Sequence, residues 1–151
     1  MATFYADTAA AIQPAGAKTK SNKYVGRVRY LEAIFVVPVG GVAIGDEIVW
    51  AKPVPGTRVL AQFANVDYSA GAASSTINLG DNVTPTRYMA ATSVAAAGTT
   101  AFTKAANGAS NFEMTDNSGG ATDNCTIKSI VAGAALQAGQ SIVVRMQFVN
   151  D

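Results

Sequence analysis

The side chains able to perform acid–base or nucleophilic chemistry are few in this sequence, and they are scattered along it. The 151 residues include no histidine, which removes the commonest general base and the commonest metal ligand. Cys125 is the single cysteine, so neither an intrachain disulfide nor a cysteine-based zinc site is expected. The ten acidic residues lie mostly singly in turn-like sequence, where aspartate satisfies nearby backbone donors. The sequence therefore predicts a protein that is not an enzyme and that requires no cofactor and no metal.

Three local patterns have some of the features of binding sites. The run Asp116–Asn124 is rich in the oxygen ligands that calcium prefers, but it lacks EF-hand spacing and a closing glutamate, so an ordinary turn is favoured. The glycine-rich run Gly40–Asp46 lacks the Lys-Ser or Lys-Thr ending of a phosphate-binding loop and is expected to connect strands. Trp50 and Tyr68 would form a sugar-stacking platform if exposed, although such aromatic residues lie more often in sandwich cores.

The low charge of the chain indicates which class of partner it is expected to bind. Charged residues make up only 14% of the sequence and the formal net charge is +1, whereas a free monomer normally covers itself with ions. This composition is typical of a protein whose surface is covered by neighbouring subunits. Nucleic acid is not expected as a partner, because phosphate binding requires a surplus of lysine and arginine.

The first 22 residues differ from the rest. They have no sustained apolar period and are interrupted by Pro14 and Gly16, so we expect an extended N-terminal arm over residues 1–22. Phe4 and Tyr5 near its tip would be either apolar anchors in a neighbouring subunit or residues that fold back on their own domain. Basic residues follow, which would lie either in solvent or along an acidic neighbour; those predicted to bind a partner are Lys18, Lys20, Lys23 and Arg27.

No targeting or membrane segment is expected. The start of the sequence has no basic region followed by a long apolar run, and no stretch reaches the roughly 18 apolar residues of a membrane span. Synthesis in a cytoplasm is the expectation that follows.

Residues 23–151 carry the pattern of short strands separated by Gly, Asn, Asp and Pro. In the last strand Val144, Met146 and Phe148 alternate with polar residues and are predicted to point inward. In the strand over 58–66, Val59, Ala61 and Phe63 are predicted to share a face. The predicted strands cover 24–37, 48–50, 58–66, 75–79, 99–103, 112–115, 126–131 and 141–149.

One segment favours a helix. Thr84 is able to cap a helix, Pro85 would occupy its first position, and Gly98 would follow its end. The expected fold class is therefore all-β: a jelly-roll-like β-sandwich over 23–151 with one short helix and an extended N-terminal arm.

Three sequence runs give the chain a family resemblance. Ile44–Val49, Val54–Leu60 and Thr76–Asp81 follow one another as a strand, a Pro-Gly turn and a strand ending in Leu-Gly. With the short Ala-rich helix that Tyr88–Ala97 would supply and two closing strands, this layout over about residues 24–150 resembles the cement (decoration) proteins of tailed-bacteriophage capsids.

The resemblance implies a small homodimer or homotrimer on the outer surface of an icosahedral head, where it clamps neighbouring major capsid proteins. It implies a virion location and neither nucleic-acid nor membrane binding. Two alternatives remain open at this point: a carbohydrate-binding β-sandwich module, and a fibre or surface subunit whose arm completes a neighbour's sheet.

Overall fold

The computed structural model describes residues 1–5, 27–102 and 112–150, and nearly all regular structure in them is β. A single 3-10 turn, Ala61–Phe63, is the helical element of these residues. The strands are β1 (Thr3–Tyr5), β2 (Arg27–Val36), β3 (Glu47–Ala51), β4 (Thr57–Val59), β5 (Asn65–Tyr68), β6 (Thr76–Leu79), β7 (Met89–Ser93), β8 (Gly98–Ala101), β9 (Ile127–Ala132) and β10 (Ser141–Asn150).

The strands form two sheets. The first has the order β1-β3-β9-β6-β7, and the second has the order β2-β10-β5-β8, with β4 also paired to β10. All pairings are antiparallel except that of β1 with β3. β2 and β10 pair along their whole length, from Ser141 opposite Val36 to Asn150 opposite Arg27. The predicted all-β sandwich is confirmed, while its jelly-roll character stays a prediction.

The core lies between the two sheets and contains the side chains that alternate inward along each strand. Val144 and Met146 of β10 are fully buried and Phe148 nearly so, which confirms the inward face predicted for that strand. Trp50 is fully buried, and its ring meets Phe35 edge to face with centroids 6.3 Å apart. The indole N–H donates to the Ser129 hydroxyl at 2.7 Å, so the polar nitrogen of this buried tryptophan has a hydrogen-bond partner.

The helix predicted after Thr84 is wrong. Met89–Ser93 is instead strand β7, paired antiparallel with β6. The local signals for a helix start are real, but a tight turn uses them: Asp81 accepts the backbone N–H groups of Val83 and Thr84 at 2.9 and 2.7 Å. Pairing with β6 also places Met89 in the core, where it is buried.

The single strand predicted over 58–66 is also wrong, because the chain breaks into β4, the 3-10 turn and β5. Val59 and Ala61 are buried as expected, but Phe63 lies in the 3-10 turn and is 60% exposed. The strand predicted over 112–115 is reduced to one bridge, between Glu113 and Arg58.

Within the described ranges, no helical segment has the length and apolar character needed to cross a membrane.

Candidate interaction surface

The outer face of the second sheet carries a row of exposed apolar side chains. Along β2, Ala33 and Phe35 point into the core, so the residues between them point outward. We call these outward residues the β2 stripe; they are Val28, Tyr30, Ile34 and Val36, exposed by 55%, 59%, 42% and 59%. Apolar residues clustered in this way on one sheet face are typical of a surface that binds another protein.

An ion cluster divides the β2 stripe at its middle. Glu32 of β2 lies opposite Arg145 of β10, and the arginine Nε donates to the Glu32 carboxylate at 2.7 Å. Arg145 also forms an ion pair with Asp67 of β5. The hydrogen bond to Glu32 raises the pKa of Arg145 above its ordinary value. Two carboxylates thus share one guanidinium, and this surface presents a net negative centre between apolar flanks.

Neighbouring hydroxyl groups hold the two carboxylates in place. Thr99 of β8 donates its hydroxyl to Asp67 at 2.7 Å, and the Tyr30 hydroxyl donates to Glu32 at 3.4 Å. These contacts span β2, β10, β5 and β8, so the whole sheet positions the cluster. A fixed charge pattern of this kind selects the orientation of a partner more than it adds affinity.

Sequence reasoning did not single out the β2 stripe. Apart from Glu32, the run Tyr30–Val37 is apolar on both faces, a pattern that fits a strand buried on both sides as well as one exposed on one side. The sequence did contain one signal. The outward positions of this run other than Glu32 are apolar, whereas the water-facing positions of an antiparallel sheet are normally polar.

The predicted partner-binding residues are only partly described. Phe4 and Tyr5 belong to β1, whose backbone pairs with β3, and Arg27 begins β2. The side chains of these three residues lie outside the described part of the structure. Lys18, Lys20 and Lys23 lie outside it altogether. The binding role of all six residues stays a prediction.

The oxygen-rich loop over Asp116–Asn124 uses its carboxylates to hold its own turns. Asp116 accepts hydrogen bonds from the backbone N–H and hydroxyl of Ser118 and from the Thr122 hydroxyl, and the bond from Thr122 is the main reason that the pKa of Asp116 lies below its ordinary value. Asp123 is buried and accepts the backbone N–H groups of Gly119, Cys125 and Thr126. No cluster of metal-ligating residues occurs in residues 1–5, 27–102 and 112–150.

The sugar-stacking alternative does not fit the geometry. Trp50 is fully buried, and Tyr68 packs against the core with its hydroxyl 2.9 Å from the Thr100 hydroxyl. The two rings therefore do not form an exposed platform.

Cys125 is expected to be inert in the folded protein. It is fully buried, and this burial raises the pKa of its thiol to about 11. At pH 8 only about one thiol in a thousand is then ionised, and the thiolate is the reactive form. We expect no labelling by a thiol reagent at pH 8 in native buffer and complete labelling in denaturant, measured by intact mass. Fast labelling of the native protein would contradict the burial of this side chain.

The two packed sheets, one of which carries the β2 stripe on its outer face, define a β-sandwich. The same fold occurs in two phage capsid structures. A chain in the capsid of Ralstonia phage GP4 is 18% identical, with a TM-score of 0.73 over 99% of both chains. A chain in the capsid asymmetric unit of cyanophage Pam1 is also 18% identical, with a TM-score of 0.59 over 91% of this chain and 99% of that one. No family model and no curated protein matches the sequence. At this identity the likeness establishes a common fold.

Proposed function

We propose that this chain is a structural virion protein of the cement (decoration) type, which binds the outer surface of an icosahedral phage head. It contacts the major capsid protein, associates with itself as a homodimer or homotrimer, and performs no catalysis. In this proposal the β2 stripe and the N-terminal residues Phe4, Tyr5, Lys18, Lys20, Lys23 and Arg27 make the contacts.

The observation that carries the proposal is the extent of the fold likeness. The alignment to the GP4 capsid chain covers 99% of both chains, so it includes the whole domain rather than a common sheet within it. A second capsid chain of similar length aligns over 91% of this one. Two likenesses of this extent, both from phage capsids, favour a capsid protein over a carbohydrate-binding module.

The surface supports a role that depends on contact with other proteins. Only 14% of the residues are charged, and four of the exposed large apolar residues lie in one row on β2. Exposure of such a row to water is unfavourable in free energy, and this cost is removed when a second protein covers the row.

The mechanism is a shift of equilibrium. A protein that binds the expanded shell and not its precursor stabilises the expanded form by about 2.7 kcal/mol per site when present at a hundred times its Kd. When a homodimer or homotrimer contacts several of the shell's repeated sites at once, modest contacts combine into strong retention. The domain needs only a rigid sheet that holds the contacting side chains in place.

The test uses empty expanded heads assembled from the major capsid protein of the same genome. Full-length protein is expected to co-sediment with these heads and to raise their melting temperature. Two variants should bind at least tenfold more weakly, by analogy with central interface residues: one that lacks residues 1–22, and Val36→Asp in the β2 stripe. Val83→Asp is the matched control, because Val83 is a similarly exposed valine that lies outside the β2 stripe.

Failure of the full-length protein to bind the heads would overturn the proposal. Retention of the same protein on a polysaccharide column would then favour the carbohydrate-binding alternative. Equal weakening by Val36→Asp and Val83→Asp would remove the β2 stripe from the contact surface.

A further inference from the structure

Strand β1 is joined to the domain in an unusual way. Its three residues pair in parallel with β3, Thr3 opposite Glu47 and Tyr5 opposite Val49. In the described residues β1 pairs with no other strand, so it is an edge strand of the first sheet. The strand that follows it in the chain, β2, lies in the other sheet. No hairpin therefore ties β1 to the strand that it pairs with.

The acceptor for β1 is built by the domain itself. The tight turn Ala43–Asp46 places Gly45 at φ 87°, and the backbone N–H of Ala43 donates to one carboxylate oxygen of Asp46 at 3.2 Å. The Asp46 carbonyl accepts the backbone N–H of Val131 at 3.0 Å. These contacts fix Asp46 beside the edge of β3 whichever copy supplies the strand.

The end of β1 fits that acceptor. The backbone N–H of Ala2 donates to the other Asp46 carboxylate oxygen at 2.7 Å, and the Ala2 carbonyl accepts the backbone N–H of Glu47 at 3.0 Å. Asp46 is almost fully buried. Without a strand at this position, the edge Glu47–Val49 would present open backbone groups, an arrangement that promotes aggregation.

The described contacts of the strand are backbone pairing with β3 and the two hydrogen bonds of Ala2. Ordering one residue of backbone costs about 1–2 kcal/mol, and one hydrogen bond returns a net of about 0.5–1.5 kcal/mol. For a strand of three residues these terms nearly balance. So weak a pairing depends on the local concentration of the strand, and within an oligomer the strand of a neighbouring copy competes with the chain's own.

The length of the connection permits a second copy to be the source. Residues 6–26 separate β1 from β2, and a stretch of this length spans up to about 70 Å when extended. A domain of this size has a radius of gyration of about 15 Å. The sequence of the connection has no apolar periodicity that would dock it on its own domain.

We propose that β1 is exchanged between copies of this chain, so that residues 2–5 of one copy pair with Asp46–Val49 of another. The exchange deepens the self-association included in the proposed function by naming the segment and its acceptor. It concerns the isolated protein, so its test is independent of binding to a head.

The test is a cross-link that only exchange permits. Two differently tagged chains are co-expressed in a Cys125→Ala background, one carrying Thr3→Cys and the other Glu47→Cys. Adjacent strands bring Cα atoms within the range of a disulfide, so exchange should yield a disulfide between the two tags. Thr3→Cys paired with Val39→Cys is the control, since Val39 is 97% exposed and lies outside β3.

A second measurement decides the case if the disulfide does not form. Deletion of residues 1–5 should reduce the oligomer to a monomer in sedimentation velocity, and Asp46→Asn should weaken association roughly tenfold through loss of a charged acceptor. A chain carrying both Thr3→Cys and Glu47→Cys that forms only an intrachain disulfide would overturn the proposal. An oligomer unchanged by the deletion would overturn it equally, whether or not the protein binds heads.

Discussion

Replacing Asp81 with alanine is expected to lower the free energy of unfolding by about 3–5 kcal/mol, because it leaves a buried guanidinium without its counter-charge. Asp81 is fully buried, and its carboxylate accepts Arg87 Nε at 2.5 Å. Arg87 is also nearly buried, stacked 3.6 Å above the Phe112 ring. The substitution removes the acceptor for two backbone N–H groups as well.

Thermal and urea unfolding would measure this loss. For a domain of this size, 3–5 kcal/mol corresponds to a fall in Tm of about 10 °C or more. The matched control is Glu113→Gln, which removes an ion pair to Arg58 whose two side chains are 47% and 41% exposed. That pair should contribute less than about 1 kcal/mol. A loss from Asp81→Ala no larger than that from Glu113→Gln would show that the buried ion pair contributes little to stability.

A double variant separates the charge from the turn. Arg87→Met in the Asp81→Ala background removes the stranded guanidinium and should restore part of the lost stability. Asp81→Asn keeps one acceptor oxygen for the turn but loses the charge, so it should lie between the wild type and Asp81→Ala. A double variant less stable than Asp81→Ala would show that the contacts of Arg87 with Thr84 and Phe112 outweigh the cost of its unpaired charge.

Gly133→Ala is the second substitution expected to have a large effect, with a loss of about 2–5 kcal/mol. Gly133 follows β9 with φ 74°, a left-handed conformation that costs an alanine about 1–2 kcal/mol. A Cβ at this position would also lie 2.0 Å from the backbone oxygen of Ser74. Relief would require movement of that turn, and such overpacking adds about 1–3 kcal/mol.

Gly139→Ala isolates the contribution of the clash. Gly139 has a similar φ of 82°, but a Cβ there would meet nothing within 4 Å. It should therefore lose only the conformational cost of about 1–2 kcal/mol. Urea unfolding of both variants gives the difference directly, and equal losses would mean that the Ser74 turn moves away without cost.

The local pattern of the sequence determined most of the strands and the alternation within them. Val144, Met146 and Phe148 are buried as their spacing predicts, because a period of two places such residues on one face whatever the fold. The lack of histidine and the isolated Cys125 likewise limit the available chemistry through composition alone. The pairing partners of the strands were not determined in this way, since register depends on residues far apart in the chain.

Tertiary contacts decided the features that local signals left open or indicated wrongly. The capping and proline signals at Thr84 and Pro85 favour a helix, but the ion pair of Arg87 with Asp81 and the pairing of Met89 with Leu79 make a turn and a strand. Such contacts outweigh helix propensities, which differ by less than about 1 kcal/mol per residue.

In the candidate interaction surface, too, some features follow from the local sequence and others only from tertiary packing. The second half of β2 is apolar on both faces apart from Glu32, and the burial of Phe35 against Trp50 decided that Val36 faces outward. The parallel pairing of β1 with β3 has no local signature either, since more than forty residues separate the paired positions Thr3 and Glu47. Alternation tells which residues share a face, but only the packing of one sheet on the other decides which face is covered.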